Sequence, residues 1–323
     1  MVVSVSTRTV RDVAVLVVKQ QRSLMDTTLI AAFEAFNEPP ISATRTRDVA
    51  WCETQRGNES GELVGLLSSG AEHVAELLRV AREHSVAVER LLEADEILPV
   101  PMMSLVRSIH EALLEACWLS DPEVSCETRL ARIASVTLAS IAGNVAPLGQ
   151  LPGGAAELPR VVGALKDAQA LLQRIGFQLR YNKSHTSVTS VAYEEGHAPI
   201  KLNITDLNEI YMPGTEHTWT LGSGGTHSRR WFTVGPEGSR DQICVMVVGP
   251  ILDSCDYVMD NILGYVGLSG NDFHARTHRR RTALLLTHQG DHDRGFARAG
   301  YREYDAERRR ASGLRRPLAN RTE

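Results

Sequence analysis

The sequence predicts a mainly α-helical bundle with a small β-hairpin insertion, and two kinds of pattern lead to this prediction. Apolar residues recur every three to four positions over residues 61–97, 101–122 and 240–266, which is the spacing of helices with one apolar face. Residues 187–204 instead hold two short β-prone runs on either side of a Gly-containing turn. The hairpin is therefore expected to be a minor element on a helical domain.

Three segments follow from the distribution of charge and apolar spacing. Residues 61–270 form the predicted helical bundle domain, and residues 1–60, which are broken by two prolines, are interpreted as an N-terminal appendage. Residues 271–323 hold 13 of the 35 basic residues but only 7 of the 39 acidic ones. Because they lack a sustained apolar stripe, they are predicted to be an Arg-rich mobile tail that folding does not require.

The first two helices of the bundle are separated by prolines. Residues 61–97 read as a long amphipathic helix, and Pro99 and Pro101 end it and begin the next, because proline is tolerated in a first turn. This next helix is predicted to be central. Leu114 and Trp118 lie on its otherwise polar face, so both of its faces should meet protein.

The later elements are predicted from caps and breakers. Ser120 or Asp121 can cap a helix that runs to about residue 142, with Pro122 in its first position and Glu123 completing a capping box. A loop rich in glycine and proline follows, and residues 158–179 return to helical spacing. A short helix after the hairpin and a long last helix complete the predicted bundle.

Cysteine usage and hydropathy favour a cytoplasmic protein without a membrane partner. The five cysteines are odd in number, form no C-x-x-C pair and mostly lie in apolar patterns, so they are interpreted as reduced core thiols. No stretch approaches the ~20 apolar residues of a membrane span, and the N-terminal apolar run is short for a signal peptide.

No cofactor or metal site is predicted. The sequence has no P-loop, nucleophile elbow or dinucleotide fingerprint. The pairs His274/His278 and His288/His292 have i, i+4 spacing, but no Cys cluster or H-E-x-x-H accompanies them, so they are interpreted as exposed histidines. The arginines of the tail are expected to attract nucleic acid non-specifically through counterion release.

Short motifs resemble a family of actinobacterial helical proteins that are distantly similar to the HEPN class of helical domains. They are the Arg107-x3-Glu111 pair, the sequence WLSDP ending at Pro122, the sequence ETRLAR ending at Arg132, and a Ser-x3-His segment ending at His227. The resemblance covers about residues 61–266 and implies a helical bundle that forms a homodimer. Some HEPN members are metal-independent ribonucleases that use Arg and His at a dimer interface.

One departure from the family separates two hypotheses about function. Trp219 and Thr220 stand where the family has Tyr and Arg, so the cation that would bind a phosphate is missing, and a neutral hydroxyl cannot replace it. The first hypothesis is therefore a non-enzymatic regulatory or interaction protein. In it Arg107, Glu111 and His227 form a buried polar network that fixes helix packing.

The alternative hypothesis is a metal-independent HEPN-type ribonuclease. His227 would act as the acid/base, and Arg229 or Arg230 would replace the lost arginine.

Overall fold

The structure, a computed structural model, describes residues 9–55, 59–220 and 240–299. It is mainly α-helical with one small antiparallel sheet, as the sequence predicts. The helices are α1 Val10–Asn37, α2 Thr44–Thr54, α3 Glu59–Glu93, α4 Pro99–Ser120, α5 Cys126–Gly143, α6 Val145–Gln150, α7 Gly154–Arg174, α8 Ile204–Tyr211, α9 Arg240–Val266, α10 Asn271–His288 and α11 His292–Arg298. The strands are β1 Gln178–Tyr181, β2 Val188–Tyr193 and β3 Gly196–Pro199.

The central position predicted for the second bundle helix is confirmed. α4 starts with Pro99 and Pro101 in its first turn and packs between α3 and α9, with α5 and α8 alongside. Leu114 and Trp118, on the face that is otherwise polar, are both buried. Protein therefore covers both faces along most of this helix.

The interpretation of the N-terminal segment as an appendage is wrong for α1. A capping box of Thr9 and Asp12 starts this helix, and its apolar residues from Val10 to Val18, apart from the half-buried Val15, are almost fully buried against α3, α9 and α10. The continuous run from Val13 to Val18 hides the helical period, because it buries more than one face. α1 is thus part of the common core.

The prediction of a mobile tail is also wrong over the described residues 271–299. α10 and α11 pack on α1 and α9, with Phe273, Leu284 and Phe296 buried. The arginines do not force the segment into solvent, because Arg281 pairs with Asp253 of α9 at 2.7 Å and with a second aspartate there. The opposite charge of these α9 aspartates offsets the repulsion among the arginines of the segment.

Smaller differences concern α5, α6 and the sheet. Ser125 is the N-cap of α5 and accepts from the Thr128 amide at 3.2 Å, so the cap lies beyond the predicted Ser120 or Asp121. α6 forms in the segment predicted to be a loop. The predicted hairpin is present as β2 and β3, but its turn lies at Glu194 and Glu195, and Gly196, which was predicted in the turn, begins β3. β1 adds a third strand in the order β1-β2-β3. β1 has only four residues, which are too few for the spacing of their apolar side chains to predict a strand.

Two segments have the length and composition of a membrane span, Cys126–Gln150 and Arg240–Val266. Of the two windows, 44% and 56% are buried inside the bundle, and their length and composition differ from the prediction that no stretch approaches a membrane span. The first segment also contains Arg129, which is enclosed by protein groups.

Candidate functional site: an apolar cavity between α1 and α3

A large cavity lies between α1 and α3, with α4 and α9 forming its floor. Its volume is about 770 Å³. Protein interiors are close-packed and hold few voids larger than a water molecule. Cavities of roughly 300–1,000 Å³ are typical of small-molecule binding sites. The cavity is therefore the strongest candidate for a functional site in the part of the chain that the structure describes.

The cavity is elongated along the two helices. Its lining residues on α1 extend from Val18 to Phe36, and those on α3 extend from Leu67 to Ser85. At ~1.5 Å rise per residue, each stretch covers about 27 Å. The cavity therefore has the shape of a long, narrow slot, which suits an extended chain better than a compact ligand.

The two helices that form the walls run antiparallel, as their cross-links show. Arg22 of α1 pairs with Glu89 near the end of α3, and Asp26 one turn later pairs with Arg82 at 3.1 Å. The Arg22–Glu89 pair is largely buried, with Arg22 in the lining of the slot, whereas the Asp26–Arg82 pair, of which both members line the slot, is exposed to solvent. Close to them, Ile30 and Phe33 of α1 are exposed to solvent beside the opening.

The floor is apolar and uncharged. Ile109 and Leu113 come from α4, and Ile251 and Ile262 come from α9. Burial raises the pKa of the Cys255 thiol to about 12, so this floor residue is neutral at physiological pH. Since polar partners for ordered water are scarce on these walls, the interior favours an apolar ligand over water.

One end of the slot, the α2 end, is different because charged groups lie behind its walls. It is lined by Phe36, Arg129 and Tyr265. Arg129 is almost fully buried, and its Nε donates to Asp48 Oδ2 of α2 at 2.7 Å. Its guanidinium also lies over the Tyr265 ring, 4.5 Å from the centroid, and burial raises the pKa of that phenol.

The other donors of Arg129 are used by the backbone. They bond to the carbonyl oxygens of Leu119, Asp121 and Val124, which fixes the turn between α4 and α5. Arg132 holds the same turn through the Trp118 carbonyl at 2.5 Å. The WLSDP and ETRLAR motifs thus have a structural role here, because their arginines stabilise the turn that connects α4 to α5.

The structure brings together two of the three residues predicted from the family motifs. Arg107 Nε donates to Glu111 Oε1 at 2.7 Å, and Trp219 Nε1 donates to the same oxygen at 3.1 Å. The Arg107 guanidinium also lies 5.2 Å from the Trp219 ring centroid. The side chains of Arg107 and Glu111 are 18% and 34% exposed. Trp219 therefore covers the pair only in part, which differs from the buried network that the sequence predicts.

This polar group is separate from the cavity. Ile109 and Leu113, which line the floor, each follow a member of the pair by two residues, about 200° around α4. His227, Arg229 and Arg230 lie outside the described residues. The ribonuclease hypothesis therefore stays a prediction.

Sequence reasoning missed a buried histidine on the same helix. His110 Nε2 donates to Asn208 Oδ1 at 2.5 Å, and its Nδ1 accepts from the Ser254 hydroxyl at 2.9 Å. Burial lowers the pKa of His110, which favours the neutral ring, and the acceptor Asn208 Oδ1 places the proton on Nε2. All three side chains are almost fully buried, so a substrate cannot reach the serine and the network serves packing between α4, α8 and α9.

The histidine pairs of the C-terminal segment do not form a metal centre where they are described. His274 Nδ1 bonds to Asp256 at 3.1 Å, and its Nε2 bonds to Asp260. No group of three or more His, Cys, Asp or Glu side chains with a metal-ligand arrangement occurs within residues 9–55, 59–220 and 240–299. His274 instead attaches α10 to α9.

No protein-family model matches the chain, and neither a curated protein nor a solved structure matches it. The resemblance to HEPN-like proteins therefore stays a prediction.

The sequence contains one signal of the cavity. The apolar stripe of α3 includes Leu63, Leu67, Val74 and Leu78, but the positions one turn after Leu67 hold Gly70 and Ala71. Small residues at this step leave space where large ones would fill the core. At Gly70 the space is closed on one side, because a Cβ atom would lie 2.5 Å from Ile133 Cδ1 of α5.

Proposed function

We propose that the protein is a non-enzymatic regulatory or interaction protein that binds an apolar small molecule in the cavity between α1 and α3. The observation behind this proposal is the size of the cavity, about 770 Å³, together with its apolar walls and floor. Such a site can bind by apolar burial at roughly 25 cal/mol per Å² of surface removed from water. Among the residues that line the slot, Asp26 and Arg82 pair with each other at 3.1 Å, and burial raises the pKa of the Cys255 thiol to about 12, which favours binding over catalysis.

The same proposal includes the HEPN-like relationship, a cytoplasmic location and self-association. The motifs shared over residues 61–266 support the first, and the five free cysteines support a reducing compartment. Light scattering tests self-association, and a mass near the 35.5 kDa of one chain across a wide concentration range would exclude it. The proposal also includes non-specific attraction of nucleic acid by the arginines of the C-terminal segment. This attraction is tested by measuring how the binding of DNA to the protein depends on salt concentration.

The binding proposal is tested with Nile red, a neutral dye that fluoresces in apolar surroundings. The wild-type protein is expected to bind it saturably, with one dye per chain. Ala71→Phe places a phenyl ring in the slot from the wall of α3, and we expect it to abolish most of this binding.

Ala87→Phe is the matched control. Ala87 is half-buried on the same helix but does not line the cavity, so its variant should bind the dye as the wild type does. Absence of saturable binding to the wild type, or equal binding by the Ala71→Phe variant, would refute the proposal.

A further inference from the structure

A buried arginine beside the α2 end of the slot has donors that no group of the described residues accepts. Arg45 of α2 is 7% exposed, and its Nε and Nη1 atoms are buried without a hydrogen-bond partner among the described residues. Asp48, a buried carboxylate on the same helix, is bonded to Arg129 instead. Buried polar groups are nearly always satisfied, and a buried charge without a partner is costly. Arg45 is therefore an exception that requires an explanation.

The local charge balance is positive. The buried cluster at the α2 end contains two guanidinium groups, Arg45 and Arg129, and one carboxylate, Asp48. Asp48 is already bonded to Arg129 at 2.7 Å, and the other donors of Arg129 are taken by backbone carbonyls. One positive charge in this cluster is left without a counter-ion in the described chain.

Arg45 lies behind the wall of the slot and is not itself one of its lining residues. Its guanidinium carbon is 4.3 Å from the centroid of the Phe36 ring, and Phe36 lines the cavity. Its charge also acts on the phenol of Tyr265, a second lining residue, whose pKa is raised mainly by burial. The uncompensated cation thus adjoins one end of a slot about 27 Å long that is otherwise apolar.

We propose that the slot takes a long-chain amphiphile with a carboxylate head group, a fatty-acid anion, whose chain lies along α1 and α3 and whose head group pairs with Arg45. Where the Phe36 ring turns aside, a carboxylate oxygen can accept a charge-assisted hydrogen bond from an unused donor of Arg45. The carboxylate also brings the missing negative charge to the buried cluster. This inference rests on the proposed function, because it requires that the cavity binds apolar molecules.

The test compares dodecanoate with dodecanol, which differ only in the head group, as competitors of Nile red. Wild-type protein is expected to bind dodecanoate at least about tenfold more tightly than dodecanol, since a charge-assisted bond adds to the same chain contacts. Arg45→Met should remove this advantage and leave the affinity for dodecanol unchanged. Arg47→Met is the matched control, because Arg47 is an exposed arginine on the same helix, and it should change neither affinity.

A melting curve without ligand separates a binding role from a structural one. Since Arg45→Met removes a buried charge that lacks a partner, we expect the ligand-free variant to melt at or above the temperature of the wild type. A lower melting temperature would show that protein groups already satisfy Arg45 and would overturn the inference. If Arg45→Met does not fold, Arg45→Lys takes its place in the comparison of the two compounds. It keeps the charge but loses the guanidinium, so it should prefer dodecanoate less strongly than the wild type does, and an unchanged preference would overturn the inference.

The binding measurements distinguish a failure of the Arg45 proposal from a failure of the proposed function. Equal affinities for dodecanoate and dodecanol in the wild type, with Ala71→Phe still blocking both, would refute the role of Arg45 and leave the cavity as a site for neutral ligands. Failure of either compound and of Nile red to bind would refute the proposed function itself.

Discussion

Removing Asp48 should destabilise the protein strongly, because this carboxylate neutralises an arginine inside the core. The side chains of Arg129 and Asp48 are 1% and 5% exposed, and their bond is 2.7 Å long. Breaking a pair with this degree of burial leaves an uncompensated charge in a low-dielectric environment, which costs about 3–5 kcal/mol. For Asp48→Ala the cost is expected at the upper end of this range, since Arg45 already adds a second positive charge nearby.

Equilibrium urea denaturation measures this cost as the loss in the free energy of unfolding. The control is Glu157→Ala, which breaks a pair with Arg160 whose side chains are 56% and 77% exposed, and its loss should stay below about 1 kcal/mol. The double variant Asp48→Leu with Arg129→Met should recover part of the loss, because apolar residues can replace a buried pair. A loss for Asp48→Ala no larger than that of the control would show that the cluster is open to water and would refute the charge argument for the α2 end.

Three further predictions test the fold. Truncation after Gly270 should lower the free energy of unfolding by several kcal/mol, because each large apolar side chain that α10 and α11 bury contributes roughly 1.5–3 kcal/mol. An unchanged denaturation curve would mean that these helices do not pack on the bundle. Burial lowers the pKa of His274, but its bonds and attraction to Asp260 and Asp256 outweigh this and raise the pKa above the unfolded value of 6.5. The stabilisation is therefore fully present below that value and is lost as pH rises through the folded pKa, so His274→Gln should cost more stability at pH ~5.5 than at pH ~8.5; equal costs would exclude the ion pair. Gly196→Ala should destabilise the β2–β3 hairpin, since a Cβ atom there would collide with the α5 backbone at Glu127, and a thermal melt matching that of the wild type would show that the contact is looser.

The helices of the bundle could be predicted from sequence because their signals are local. α3, α4 and α9 show the 3.6-residue period directly, and the prolines before α4 fall in its first turn. α1 could not be assigned to the core, because Val13–Val18 reads as one apolar run and its partners on α9 and α10 are more than 200 residues away in the sequence. Local periodicity reports which face is apolar and does not report what covers it.

The candidate site could not be predicted for the same reason. The slot depends on where α1 lies relative to α3, which the sequence does not show. The sequence shows only that Gly70 and Ala71 are small residues among the large apolar residues of α3. The pair of Arg129 and Asp48 joins residues 81 positions apart, so neither residue alone indicates a partner. By contrast, the Arg107 and Glu111 pair was predictable because i, i+4 neighbours meet on any helix.

The most direct test of the binding site is the methyl spectrum of the protein labelled with ¹³C at the methionine methyl groups. Met25 lines the slot, whereas Met102 and Met259 are buried in the core and are not among its lining residues. If dodecanoate occupies the slot, titration should shift the Met25 resonance saturably, with one equivalent per chain, and leave those of Met102 and Met259 nearly in place. A Met25 resonance that does not move while dodecanoate binds, or equal shifts at all three methionines, would contradict the assignment of the cavity as the ligand site.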